Sequence, residues 1–214
     1  MNFDEIEWKI AIRPEEYEDK GCVRAILKDD LYPSLEVQTV TPRFYYHKKY
    51  HPQDKYSQII LYTKESCKDE SEYFKPFVLD CVNKFKEDLK LNTVDIISLI
   101  PNGNNKYYPN IISVAKIIST LLSKPVSVIF DREDTQKNFQ RDRQNRYNNL
   151  HGKFKLKEVN VSGKTILIID DIRTTGISIL ECARVLKENN ALNIISFALG
   201  TNSSNEPKIK EVKG

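Results

Sequence analysis

The sequence predicts an α/β protein: an open parallel sheet with flanking helices, plus a small N-terminal β-containing hood. Two observations carry this reading. From about Glu72 onward, short β-branched apolar runs alternate with helix-length amphipathic segments, the pattern of a parallel sheet with crossover helices. Before that point the chain is rich in Tyr, Lys and Glu, and its β-prone pieces are short and punctuated by Pro33, Pro42 and Pro52. The expected division is a hood-like unit over residues 1–75 and an α/β core over 76–214. The 214 residues suffice for one substantial α/β domain with such a cap.

In the N-terminal part, VRAIL (23–27), LEVQTV (35–40), RFYYH (43–47) and QIILYT (58–63) read as strands of a small antiparallel unit. Phe74, Phe77, Val78, Cys81, Val82 and Phe85 then recur at three and four, which predicts an amphipathic helix. VDIISLI (94–100) is a buried strand, and PNGNNKYYPN (101–110) a loop by its Pro, Gly and Asn content. IISVAKIISTLL (111–122) is a helix and VSVIF (126–130) a second strand. A polar stretch covers 131–158. TILII (165–169), SILECARVLKENN (178–190) and NIISFAL (193–199) complete the pattern as strand, helix and strand. Ligands of such sheets bind beyond the carboxyl ends of the strands. Loops 101–110 and 170–178 leave strands there, and they define the expected site.

Composition narrows the class. Hydrophobic residues at 40% lie well above a disordered chain, and a net charge of +3 is too mild to argue for nucleic acid by itself. Cys22, Cys67, Cys81 and Cys182 form no CxxC pair, which argues against a zinc ribbon and fits reduced thiols. No stretch resembles a signal peptide, and no run of ~20 apolar residues could span a bilayer. The expectation is a soluble cytoplasmic protein with no membrane partner.

The most informative stretch is ILIIDDIRTTG (166–176). Asp170 and Asp171 stand where the strand gives out. Buried carboxylates are costly without partners, so a pair here is expected to face the cleft. Adjacent acids suit a cation or the vicinal hydroxyls of a sugar. Thr174, Thr175 and Ser178 add hydroxyl donors, Gly176 permits a tight turn, and a helix start presents free N–H groups and a positive dipole end, which together suit a phosphate. The same hydroxyls also read as helix N-caps. The double acid and TTG at one junction favour a ribose 5-phosphate. SGKT (162–165) mimics a phosphate-binding P-loop, but Glu158 stands where that motif needs glycine, and a strand follows where it needs a helix.

ILIIDDIRTTGIS resembles the phosphoribosyl pyrophosphate (PRPP) signature of type I phosphoribosyltransferases: four apolar residues, two acids, two variable positions, TTG, then Thr or Ser. RYNNLHGKF (146–154) is similar to the R-x-x-N-V-x-G-A-F segment of the ComF-type, competence-associated branch, through Arg146, Asn149, Gly152 and Phe154. Arg132 and Thr135 also resemble family positions, with Asn138 in register with the usual Gln. The resemblance covers about residues 94–200. The zinc ribbon of many ComF proteins is absent, and loop 101–110 departs from their P-V-P…R-G-x-N-Q pattern, with Lys106 its only cation.

The resemblance implies a type I phosphoribosyltransferase fold. Asp170 and Asp171 would hold the ribose hydroxyls, directly or through Mg²⁺, and the backbone and hydroxyls of Arg173, Thr174, Thr175, Gly176, Ile177 and Ser178 would hold the 5-phosphate. Asn102, Gly103 and Lys106 would face the pyrophosphate, although Asn-Gly-Asn is also an ordinary turn. Arg132, Lys137 and Arg141, in a region that closes over the site in the family, are further candidates for catalytic cations. Some relatives carry an acid at the position of Thr174; threonine removes that candidate base. The implied reaction transfers phosphoribosyl to a nitrogen acceptor. The alternative is a non-catalytic module that senses PRPP or a nucleotide, regulates a protein partner, or associates with nucleic acid in DNA uptake or defence. A solvated polar segment and a single-strand-binding surface both remain open for 131–158, where Phe139, Tyr147 and Phe154 interleave with basic residues including Arg143. The resemblance also implies a homodimer. His47 and His51 read as surface packing rather than metal ligands, and Trp8 as part of a base-recognising hood or simply core.

Overall fold

The computed structural model describes residues 22–46, 54–66, 69–103, 105–133 and 143–202. Trp8, His47, His51, Cys67, Thr135, Lys137, Asn138, Phe139 and Arg141 lie outside them. The elements run β1 (Val23–Asp29), β2 (Tyr32–Thr41), β3 (Arg43–Tyr45), α1 (Lys55–Ser66), α2 (Ser71–Phe85), β4 (Ile96–Leu99) and α3 (Pro109–Leu122). They continue with β5 (Phe130–Arg132), α4 (Arg143–Leu150), β6 (Phe154–Leu156), β7 (Thr165–Arg173), α5 (Ile177–Glu188) and β8 (Asn193–Asn202).

The central sheet has the order β1-β2-β8-β7-β4, with β3 also pairing β8. Strands β2, β3 and β7 all run parallel to β8, and β4 runs parallel to β7. Only β1 is antiparallel, as a hairpin with β2. The expected mixed α/β class with a mostly parallel sheet is therefore observed. The N-terminal strands, expected as a small antiparallel unit, instead extend this same sheet: only β1–β2 is antiparallel, while Gln38, Thr39 and Val40 pair in parallel with Ile195, Ser196 and Phe197, and Arg43 to Tyr45 continue along Gly200 to Asn202, because β8 offers them a free edge.

Strand β7 shows why its sequence is an unbroken apolar run. Leu167 and Ile169 face one core, with Phe74 and Val78 of α2 and Ile118 of α3. Ile166 and Ile168 face the other, with Ile179 and Leu186 of α5. A strand covered on both faces has no polar side to alternate with. Helix α2 buries Phe74, Val78, Cys81, Val82 and Phe85, the face its spacing predicts. Among the described residues, no helix is long and apolar enough to cross a membrane. Cys22, Cys81 and Cys182 are free thiols, the last two buried.

Two local expectations are corrected. Residues 58–63, expected as a strand, lie in α1. The helical period starts earlier than the β-prone window: Tyr56, Ile60 and Thr63 are buried at i, i+4 and i+7. The Tyr56 hydroxyl donates to the Leu199 carbonyl at 2.7 Å and fixes the helix on β8. Residues 126–130 do not form one strand of the main sheet. Val126 makes a single parallel bridge to Ile97, and the strand proper, β5, pairs with β6 in a separate hairpin.

Candidate functional site

β7 continues four residues past the apolar run because β8 continues beside it; Asp170 pairs in register with Ala198, and Arg173 with Thr201. The two acids thus belong to a rigid strand end rather than a loose loop. Their own turn is tied locally. Asp170 Oδ1 accepts from the Asp171 N–H at 2.9 Å, and Asp171 Oδ1 accepts from the Ile172 N–H at 2.6 Å. Thr174 and Thr175 follow, and Gly176 adopts φ +77° as the residue before α5. That left-handed conformation favours glycine. The Ile177 N–H donates to Thr175 Oγ1 at 3.4 Å.

A cleft of about 310 Å³ lies beside this junction, within the size range of small-molecule sites. Asp170, Asp171, Thr174 and Ser178 line it from the β7–α5 side, and Asn102, Gly103, Lys106 and Arg132 from the other. The structure therefore brings together residues that lie seventy positions apart in sequence. Four expected residues do not line the cleft: Arg173 is buried within the sheet at 2% exposure, Ile177 is wholly buried in the core, and Thr175 and Gly176 turn away from it at the start of α5. Their part in any phosphate site would be played by backbone.

Loop 101–106 is braced against β5. The Asn105 amide donates to Asp131 Oδ1 at 3.0 Å and its oxygen accepts from the Arg132 N–H at 3.2 Å. Arg132 Nη1 donates to the Pro101 carbonyl at 3.2 Å, and its guanidinium lies over the Phe154 ring at 5.2 Å. Lys106, exposed, has its N–H held by Asn102 Oδ1 at 3.0 Å. The lysines of the β5–β6 pair each meet a carboxylate, although the pair stays net positive. Lys153 and Lys155 pair with Glu133 at 3.2 and 2.6 Å, and Lys157 pairs with Asp131 at 3.3 Å.

Two cleft cations stand where the sequence does not put them. Arg146, one of the basic residues of 131–158, turns to the other end of the site: its Nη1 donates to Thr174 Oγ1 and so links α4 to the TTG turn. Lys64 was assigned to no function. It reaches in from α1, and its Nζ lies 2.6 Å from Asp171 Oδ2. No local pattern marks either residue; only their tertiary placement does. The rest of the 146–154 segment is structural. Leu150 and Phe154 are buried, and the Gly152 N–H donates to the buried Glu181 at 2.7 Å.

The acid pair is electrostatically tense. Burial and the adjacent Asp171 charge push the Asp170 carboxyl up to about 7, although the Asp171 N–H, Lys64 and Arg146 oppose the rise. Burial alone would lower the Lys64 ammonium pKa, but Asp171 and Asp170 outweigh it and the net direction is up. A carboxyl raised from 3.8 binds an extra proton in the folded state, so stability falls as pH rises from about 4 through about 7. Asp170→Asn is therefore expected to raise the melting temperature at pH 8 and to change it little at pH 4. Equal shifts at the two pH values, read by calorimetric melting, would contradict this electrostatic picture.

A family model described as Phosphoribosyl transferase domain matches residues 112–213. The match covers just under half of the chain, takes in β7 and the TTG turn, and begins after loop 101–106. No curated protein matches the chain. Among solved structures, the chain is similar to a hypoxanthine phosphoribosyltransferase from Staphylococcus aureus at 10% identity and a TM-score of 0.43, covering 64% of this chain and 67% of that one. It is similar to a hypoxanthine-guanine phosphoribosyltransferase from Bacillus anthracis at 14% identity and a TM-score of 0.43, over 69% and 77%. The third is the glutamine PRPP amidotransferase from B. subtilis, at 16% identity and a TM-score of 0.35, over 50% of this chain and 24% of that one. At these TM-scores the likeness bears no weight beside the chain's own geometry.

Proposed function

We propose that this chain, matched over residues 112–213 by the phosphoribosyl transferase domain model, binds PRPP and transfers its phosphoribosyl group to a nitrogen acceptor. One observation carries the reading: the acid pair and the hydroxyl-rich TTG junction flank the same cleft, with loop 101–106 and Arg132 across from them. Asp170 and Asp171 would accept hydrogen bonds from the ribose 2- and 3-hydroxyls. The 5-phosphate would sit at the start of α5, on the backbone N–H groups and hydroxyls of the TTG turn. Arg146 would hold Thr174 in place. The similarity of RYNNLHGKF to ComF-type proteins supports placing the chain in that branch.

The acceptor nitrogen would attack the anomeric carbon while the bond to pyrophosphate breaks, its electron pair leaving with the pyrophosphate. The ribose ring gains positive charge, which the carboxylates below it stabilise. The leaving group gains negative charge, which Lys106 and Arg132 would meet. Mg²⁺ would neutralise further charge on the pyrophosphate. Asp170 and Asp171 fit such an ion only in part. No group of three or more His, Cys, Asp or Glu side chains suited to a metal stands among the described residues, so ligand oxygens and water would complete its shell. Thr174 offers no general base, so the proton of the acceptor nitrogen would pass to solvent or to a carboxylate of the cleft.

The test is pyrophosphate release from PRPP with a panel of nucleobases and amines. Release that depends on an acceptor, and is lost in D170N/D171N, is expected. PRPP binding without release from any acceptor would overturn transfer and support the sensing reading, which the single cation of loop 101–106 favours. The ion pairs of Lys153, Lys155 and Lys157 weigh against a strand-binding surface on the β5–β6 hairpin.

A further inference from the structure

We propose that Lys64 is a built-in counter-cation of the acid pair: it holds the cation position at Asp171 and biases the site against free divalent metal. The inference rests on reading Asp170 and Asp171 as the ribose-diol and cation site. Lys64 Nζ stands 2.6 Å from Asp171 Oδ2, with 30% of the lysine side chain and 14% of the aspartate exposed. This is not a loose surface lysine. Its ammonium also lies 5.6 Å from the centre of the Tyr108 ring. Helix α1 is fixed on both sides. Tyr56 donates to Leu199 on β8, and the Thr63 hydroxyl next to Lys64 accepts from the buried Asn110 amide on α3 at 2.9 Å. Ile60, one turn earlier, is fully buried.

Such an arrangement has a chemical consequence. Two adjacent carboxylates invite a cation, and a tethered ammonium supplies one without metal. A divalent ion arriving alone must displace Lys64 or sit beside it, and like charges a few Å apart in a half-buried site repel strongly. A ligand that brings its own hydroxyls needs no such displacement. Its diol can bond the outward-facing lone pairs of the two carboxylates while Lys64 holds Asp171 in place. Lys64 thus acts as a positioning residue from outside the segment matched by the family model, which starts at residue 112.

The experiment is a direct titration of Mn²⁺, with no sugar present, into wild type, Lys64→Met, Lys64→Arg and the K64M/D171N double variant at pH 8. Lys64→Met is expected to bind Mn²⁺ ~10-fold or more tightly than wild type. Lys64→Arg should stay near wild type, and K64M/D171N should lose the gain. Equal or undetectable Mn²⁺ binding in wild type and Lys64→Met overturns the proposal, as does a lowered melting temperature with no change in metal affinity, the mark of a purely structural ion pair. A parallel titration with ribose 5-phosphate separates the two levels. Sugar binding without the Mn²⁺ gain sinks only the role of Lys64, whereas absence of sugar binding in wild type sinks the site reading itself.

Discussion

Glu181→Ala is expected to destabilise the protein by about 3–5 kcal/mol, the cost of breaking a buried, paired charge by removing one partner. The Glu181 side chain is fully buried on α5. It accepts from the Tyr32 hydroxyl at 2.8 Å, the Gly152 N–H at 2.7 Å and Arg184 at 2.6 and 3.1 Å, and it meets His151 at 3.3 Å. One carboxylate therefore joins β2, the end of α4 and its own helix. Burial would raise its pKa, but Arg184, Gly152 and Tyr32 outweigh burial and hold the carboxyl below its usual 4.5. A lowered folded pKa contributes stability above about 4.5 that is lost as pH falls further, so the deficit of Glu181→Ala should shrink in acid. Urea unfolding at neutral pH reads the effect; a loss under about 1 kcal/mol would show that solvent or Arg184 rearrangement satisfies the stranded groups. The variant should also loosen α4, and with it the contact from Arg146 to Thr174.

The Glu181 network shows where local sequence stops being informative. Tyr32 and Glu181 lie 149 positions apart, and nothing in either segment announces the other. By contrast, the parallel strands were legible because β4, β7 and β8 are buried on both faces and so read as short continuous apolar runs. Helices α2 and α3 were legible because each buries one face at three-and-four spacing, and α5 because it fills the gap between two apolar strands, although it is buried around most of its circumference. The N-terminal part was less so. Its strands are visible as β-prone pieces, but pairing with β8 depends on an edge built 150 residues later. α1 was misread as a strand because Ile59, Ile60, Leu61 and Tyr62 have high β propensity, while its burial follows the helical period set by Tyr56 and Thr63.

In the site, the acid pair and TTG turn were legible because one short segment holds them. Rigid placement on β7 was not, since β7 is extended by β8. Arg173 looked like a loop residue and proved to be the last, buried residue of the strand. Lys64 was invisible because a lysine acquires meaning only through what lies opposite it, here Asp171 from a strand a hundred residues away. In the stretch 131–158 the sequence shows only a run of cations; that Lys153, Lys155 and Lys157 pair with Glu133 and Asp131 while Arg132 and Arg146 line the cleft depends on tertiary placement.

The acid pair is expected to carry the recognition of the sugar. A diol bound by two carboxylates makes charge-assisted hydrogen bonds, and changing each carboxylate to an amide should cost about 1–1.5 kcal/mol. The double variant D170N/D171N should therefore bind ribose 5-phosphate about a hundredfold more weakly. Inorganic phosphate would engage only the TTG turn at the start of α5, so its affinity should be kept or rise as two nearby negative charges are removed, which separates loss of diol contacts from loss of fold. The decisive measurement is a calorimetric titration of ribose 5-phosphate into wild type and D170N/D171N, with inorganic phosphate as the second titrant. Saturable binding in wild type, lost in the variant while phosphate binding persists, is the predicted result. No binding in wild type, or equal affinity in both proteins, would contradict a ribose-phosphate site at the end of β7.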